Sequence, residues 1–306
     1  MRQKFLVACI IFILSLVLFP PSIYAQPPTQ GTSTSIVITV DPSSDILQGR
    51  AAILRVWGAD LTNVQASFLS KLIFLHPMGS NNWVGFISVD MDSTVGTQPL
   101  DVFAWTEGSE TPTRTRQDVE VLFGGFDRQE IPLPFDLEPL LDPELNAEDF
   151  STLERAYNRI TPERLFTTFD QPIPGPAISF FGGYRNYNNG ELLGRHTGAD
   201  YRAVTGTTVG AASDGRVVLV RHLPIHGNHI VIDHGWGIMT GYSHLSEMLV
   251  VPGQLVRKGE TIGLVGATGR VQGPHLHFEV AVNGYLVDPI MFLDLGIPAP
   301  SFVAQN

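Results

Sequence analysis

Cysteine is nearly absent. The 306-residue chain has one, Cys9, set in an apolar N-terminal run, so the remainder can form no disulfide and carry out no thiol chemistry. Stability must come from packing, for which the chain is long enough, or from a bound metal. Positive charge is also short, with 19 Lys and Arg against 30 Asp and Glu and a formal net charge of −11. Nucleic acid and anionic membrane surfaces are poor partners for such a chain. No HExxH stretch occurs, which removes the helix-borne glutamate base of one large protease class. No internal repeat is evident, and no apolar run reaches the roughly 20 residues that a spanning helix needs. Gly and Pro are abundant instead, 30 and 22 residues, which implies many turns, few long helices and a mainly β protein.

Arg2 and Lys4 precede the fifteen-residue run FLVACIIFILSLVLF, followed by PPSIYA and a polar Pro/Gln/Thr stretch. This is the charged start, apolar middle and small-residue exit of a secretory signal peptide, residues 1–25, with cleavage expected after Ala25. An uncleaved anchor is the bland counterpart. LVAC at 6–9 mimics a lipoprotein cleavage box, but it stands ahead of most of the apolar run rather than behind it. The expected product is secreted or in the cell envelope, with no stable membrane insertion. Loss of Arg2 and Lys4 would take its net charge from −11 to −13.

Residues 33–124 contain SIVITVD, AAILRVWG, KLIFLHP, WVGFISVD, PLDVFAWTEG and QDVEVLFG, short β-rich runs separated by turn residues. Six or seven strands in about 90 residues suit an N-terminal immunoglobulin-like β-sandwich. Trp57, Trp83 and Trp105 read as core rather than as a sugar-binding platform. Residues 125–177 read as a linker with one helix. Asp142 and Pro143 start it, and Leu145, Leu153, Ala156, Tyr157 and Ile160 fall near one face. Such a helix is expected to pack against one domain and bridge the two; the sharper alternative is that it covers a groove in a latent form. Residues 294–306 read as a C-terminal tail.

Chemistry concentrates in residues 178–293. His196 and Asp200 stand four apart in GRHTGADYRA, His244 lies in TGYSHLSE, and His275 and His277 flank one leucine in GPHLHFEVAV. Side chains two apart on a strand project from one face, so His275, His277 and Glu279 share a surface. Zinc takes imidazole nitrogen and carboxylate oxygen, and a catalytic site commonly uses three protein ligands. Two His and one Asp meet that count and leave two His for proton transfer. Glu279 reads either as a group orienting a ligand or as a solvent-facing or ion-paired strand glutamate.

This region resembles the LytM and lysostaphin type of zinc endopeptidases, which cut peptide bonds in bacterial peptidoglycan. The likeness rests on HxGxD, here His196, Gly198 and Asp200; on HxH, here His275 and His277; and on His244 in YSHLS. It implies an open, groove-bearing β-sheet catalytic domain of the duplicated hybrid motif type over residues 178–293. It implies one zinc ion per chain held by His196, Asp200 and His277, with His244 and His275 as catalytic histidines. Peptidoglycan peptides, in stem cross-links or bridges, are the implied substrate. Zinc polarises a peptide carbonyl and brings the pKa of bound water down to about 7. A histidine titrating near neutrality can then move the proton.

The expected function is an exported zinc metalloendopeptidase; the alternative is a zinc-site protein that binds the wall or activates another wall hydrolase. PGQLVRKGETIGLVG also resembles the hairpin of a lipoyl or biotinyl carrier domain. The flanking residues of an attachment lysine are missing around Lys258, which disfavours that role. His222, His226, His229 and His234 read as surface-loop or structural residues rather than a second metal site, and His76 as ordinary. Oligomeric state is not readable from the chain.

Overall fold

The computed structural model describes residues 35–79 and 81–297. The expected leader, its cleavage at Ala25 and residues 298–306 of the tail lie outside them. Among the described residues the protein is mainly β, and no helix is long and apolar enough to cross a membrane.

The first ninety described residues form two sheets. One orders its strands Val37–Asp41, Ala51–Trp57, Asn82–Ser88 and His76–Pro77. The other orders Asp45–Leu47, Thr113–Leu122, Gly96–Thr106, Leu61–Phe68 and Lys71–Phe74. Leu54, Val56 and Ile87 of the first meet Val64, Ala66, Leu100, Val102 and Val119 of the second in one apolar cluster. Side chains alternate across a strand, so the residues between them face the other way. Ile53, Val84 and Phe86 accordingly join the cluster built around Phe166, Trp236, Tyr242 and Phe278. A sheet buried on both faces explains why WVGFIS is apolar almost throughout.

Residues 126–177 do more than connect. Arg128–Ile131 pairs in parallel with Tyr184–Tyr187, which forms a hairpin with Leu192–Arg195. A 3-10 turn follows at Phe135–Leu141, and then the helix Pro143–Tyr157. Its N-cap Asp142 accepts from the Glu144 N–H at 2.9 Å, and Pro143 occupies the first turn, where a missing N–H is harmless. The buried face carries Leu153, Ala156 and Tyr157, and also Asp149 and Thr152. Leu145 is half-buried. Ile160 lies beyond the Asn158 C-cap and is exposed, so it takes no part in the helical face.

The largest sheet orders Ala177–Ser179, Ala199–Arg202, His275–Val282, Ile238–Met248, Gly227–Gly235, Gly215–Leu223 and Leu255–Val256. Its two faces separate cleanly by residue parity. Phe278, Val280 and Val282 pack with Ile230, Ile232, Ile238 and Tyr242 in the apolar core. His275, His277, Glu279 and Ala281 point to the opposite side, where Ala281 joins Val231 and Met239 beneath Leu153, Ala156 and Tyr157 of the helix.

Candidate metal and catalytic site

Strand pairing brings the histidines and the aspartate together. Asp200 lies opposite His277 across the Ala199–Arg202 and His275–Val282 pair, and Ser243 lies opposite His277 on the other side. His196 follows the Leu192–Arg195 strand, and its Gly198 allows the chain to turn tightly against the sheet. A Cβ at Gly198 would overlap the Phe278 carbonyl oxygen and sit 2.9 Å from His277 Cε1.

Three donor atoms converge. His277 Nδ1 is 2.8 Å from Asp200 Oδ1, His196 Nε2 is 3.0 Å from the same oxygen, and the two ring nitrogens are 3.1 Å apart. Ligands on a tetrahedral zinc with bonds of about 2.0–2.1 Å stand roughly 3.3 Å from one another, so the triad needs to open by only a few tenths of an ångström to hold the ion. The far side of each imidazole is engaged as a ligand's must be. His196 Nδ1–H donates to the Phe180 carbonyl at 2.7 Å, and His277 Nε2 faces Glu279 Oε1 at 3.3 Å. Arg185 Nη2 donates to the second Asp200 oxygen at 3.0 Å. The donor set therefore fits zinc.

Electrostatics points the same way. Burial holds the His196 imidazole down at about 4, in its neutral, ligating form. Burial alone would raise the Asp200 carboxyl, and the adjoining His196 and His277 override it, keeping Asp200 well below the usual range. Burial would lower His277, but its bonds to Asp200 and Glu279 win and lift it to about 9. A metal arriving there displaces a proton.

His244 and His275 stand beside this triad. Their rings lie 4.8 Å apart, and His244 is 5.8 Å from the His277 ring. Each donates Nδ1–H to a backbone carbonyl, Thr268 for His244 and Gly273 for His275, both at 2.9 Å. Nε2 is left with its lone pair in both. His275 Nε2 is 3.7 Å from Asp200 Oδ1. Burial keeps both rings below their ordinary pKa, so they are neutral proton acceptors at neutral pH. His244 also has φ 64°, a left-handed backbone uncommon for a residue other than glycine.

A groove of about 930 Å³ runs past Asp200, His244 and His275. Gln129, Ile131 and Leu133 of the linker line it together with Arg185 and Tyr187 of the neighbouring strand. Gln129 and Ile131 pair with Arg185 and Tyr187 as alternate residues of two strands, one face of a small sheet that Leu133 extends beyond the strand end. Arg202 and Arg270 line it too.

All five residues singled out in the sequence thus meet. Other participants were not assigned to the site from the sequence: Arg185 on Asp200, and beneath His277 Asp149, His226, read there as loop or structural, and Tyr157, read there only as part of a helical face. Alternation in YRNY puts Arg185 and Tyr187 on one face and could have pointed to Arg185. His226 and His229 are buried in a polar cluster, whereas His222 is exposed. Glu279 is fully buried and accepts from the Tyr157 hydroxyl at 2.6 Å, so its solvent-facing reading does not hold.

Residues 194–289 match the model of peptidase family M23. The peptidoglycan DD-endopeptidase ShyB of Vibrio cholerae is 40% identical over 145 residues, 46% of this chain and 33% of that protein. ShyA of the same organism, also a peptidoglycan DD-endopeptidase, is 47% identical over 111 residues, 36% of this chain and 25% of that protein. The match therefore spans a third or less of these relatives' length. A crystal structure of a Pseudomonas aeruginosa protein assigned to peptidase M23 superposes with a TM-score of 0.60 at 26% identity, covering 81% of this chain and 94% of that one. The resemblance carried by HxGxD, HxH and YSHLS holds over the peptidase region.

Proposed function

We propose that the chain is an exported zinc metalloendopeptidase that hydrolyses peptide bonds of bacterial peptidoglycan. The observation that carries this reading is the convergence of His196 Nε2, Asp200 Oδ1 and His277 Nδ1 within 2.8–3.1 Å of one another, beside two neutral histidines, with Asp200 opening onto a groove. Zinc held there would polarise the scissile carbonyl and acidify a water to a pKa of about 7. The remaining work falls to the chain. His196, Asp200 and His277 would hold the ion, and Arg185 fixes the Asp200 carboxylate so that only one oxygen is free to ligate. His244 or His275 takes the proton of the attacking water at Nε2. The imidazolium so formed returns it to the leaving amine or stabilises the developing oxyanion. The groove walls hold the peptide extended across these groups.

The names of the Vibrio cholerae relatives favour the cross-link between stem peptides as the bond cut. Residues 33–124 are read as an immunoglobulin-like spacer, supported by the two facing sheets. Export is read from the leader pattern of residues 1–25, and a mature N-terminus at Gln26 on sequencing would bear it out. To test the function, purified protein is assayed for zinc by elemental analysis and incubated with muropeptides of several cross-link types, and the products are weighed by mass spectrometry. One zinc per chain and a severed peptide bond, lost on chelation and restored by zinc, are expected. Zinc-loaded protein that cuts none of the muropeptides would instead favour a wall-binding or activating role.

A further inference from the structure

Two carboxylates are buried beneath His277, one from the sheet and one from the linker helix. Glu279 and Asp149 both have essentially no solvent exposure, a placement that is costly for a carboxylate unless partners meet it. Hydrogen bonds meet one oxygen of each; among the described residues Asp149 Oδ1 and Glu279 Oε1 accept none. Asp149 Oδ2 accepts from the backbone N–H of Ile225, the backbone N–H of His226 and His226 Nδ1, each at 2.9 Å. Glu279 Oε2 accepts from the Tyr157 hydroxyl at 2.6 Å. Its other oxygen faces His277 Nε2 at 3.3 Å and His226 Nε2 at 3.8 Å.

We propose that the helix Pro143–Tyr157, which precedes the region matched to the peptidase family, is part of the metal centre. Tyr157 and Asp149 are positioning residues: they hold Glu279 and His226 beneath His277 so that its Nδ1 is aimed at the ion. This rests on the metal-centre reading above. Glu279 Oε1 and the Thr197 hydroxyl both stand 3.3 Å from His277 Nε2, and the carboxylate favours the tautomer with its proton there, which leaves the Nδ1 lone pair for the metal. Glu279 can rotate away unless its second oxygen is tied, and Tyr157 ties it. The opposite strand is bare where the tyrosine enters. A Cβ at Gly241 would overlap the Tyr157 hydroxyl and lie 2.9 Å from Glu279 Oε2. Packing alone does not require this arrangement, since Leu153 and Ala156 already fix the helix on Val231, Met239 and Ala281, and a phenylalanine at 157 would fill the same space.

The test compares Tyr157→Phe, Asp149→Asn and Leu153→Ala in the full chain. Zinc affinity is measured by competition with a chromophoric chelator, and the melting temperature is measured on zinc-free protein. Loss of an outer partner of a ligating histidine weakens metal binding about 10- to 100-fold. Tyr157→Phe, one hydrogen bond further out than Glu279, is expected to lose up to about 10-fold, with a zinc-free melting temperature near wild type. Asp149→Asn is expected to weaken zinc as well; if it does not fold, Tyr157→Phe decides. Leu153→Ala is expected to lower the melting temperature with zinc affinity unchanged. Wild-type affinity in Tyr157→Phe would overturn the proposal, as would equal losses in Tyr157→Phe and Leu153→Ala. A wild-type chain that takes up no zinc would sink the metal-centre reading itself, and this inference with it.

Discussion

His275 and His277 leave the same strand on the same face, two residues apart, yet their rings are held in opposite senses. His275 donates Nδ1–H to the Gly273 carbonyl and turns Nε2 to the centre, whereas His277 turns Nε2 to Glu279 and Nδ1 to the centre. The outcomes of substitution should differ accordingly. His277→Ala should lose zinc and activity together. His275→Ala and His244→Ala should keep their zinc and lose about 10²- to 10⁴-fold in rate, roughly 3 to 5 kcal/mol of barrier. Elemental analysis alongside the rate assay separates the cases, and a His275→Ala protein without zinc would make His275 a ligand.

Gly198 stands where no side chain fits. Gly198→Ala would drive a methyl into the Phe278 carbonyl and against His277 Cε1, displacing the loop that carries His196. Zinc affinity should fall while the N-terminal sheets, far along the chain, stay folded. Circular dichroism with a chelator competition would check this; unchanged affinity would mean that the loop absorbs the methyl without moving its ligand.

His234 predicts an acid weakness outside the metal centre. It is fully buried, donates Nδ1–H to the Asp214 carbonyl at 2.8 Å and meets the Thr240 hydroxyl with Nε2 at 2.7 Å. Burial lowers it from 6.5 to about 4. The unfolded chain therefore binds a proton between pH 6.5 and about 4 that the folded chain refuses. Stability from this group is fully present above pH 6.5 and is lost as pH falls through that window, on the order of 3 kcal/mol. NMR of the His234 ring should find it neutral at pH 5. A ring that titrates near 6.5 would contradict this.

Phe86 should matter to the peptidase region although it belongs to the N-terminal sheet. It is buried against Phe166 and Trp236, with ring centroids 6.4 and 6.5 Å away. Phe86→Ala is expected to cost about 3 to 5 kcal/mol in urea unfolding. A loss below about 1 kcal/mol would mean that the shared cluster contributes little.

Local pattern carried much of this site. Period-two spacing puts His275, His277 and Glu279 on one face, HxGxD names the tight turn, and Asp142 with Pro143 starts the helix where it is found. Long-range partners were out of reach. Tyr157 and Glu279 are 122 residues apart in sequence, and Asp149, an acid among acids on an amphipathic helix, looks like any solvated residue until the sheet that buries it is in view. His226 sits two residues after Pro224 and reads as loop for the same reason. Ile160 continued the apolar spacing by chance, and the cap at Asn158 ended the helix before it.

Because Ile53, Val84 and Phe86 close the underside of the peptidase core, the N-terminal sandwich is bolted to its neighbour rather than hung from it. Ser88 and Asn283 add cross-links, to the Val282 and Phe86 carbonyls at 2.8 and 2.7 Å. The N-terminal sheets therefore keep a constant offset from the groove. If the chain cuts peptidoglycan as proposed, that offset makes it a gauge block rather than a tethered blade, the cut falling at a set distance from whatever those sheets touch.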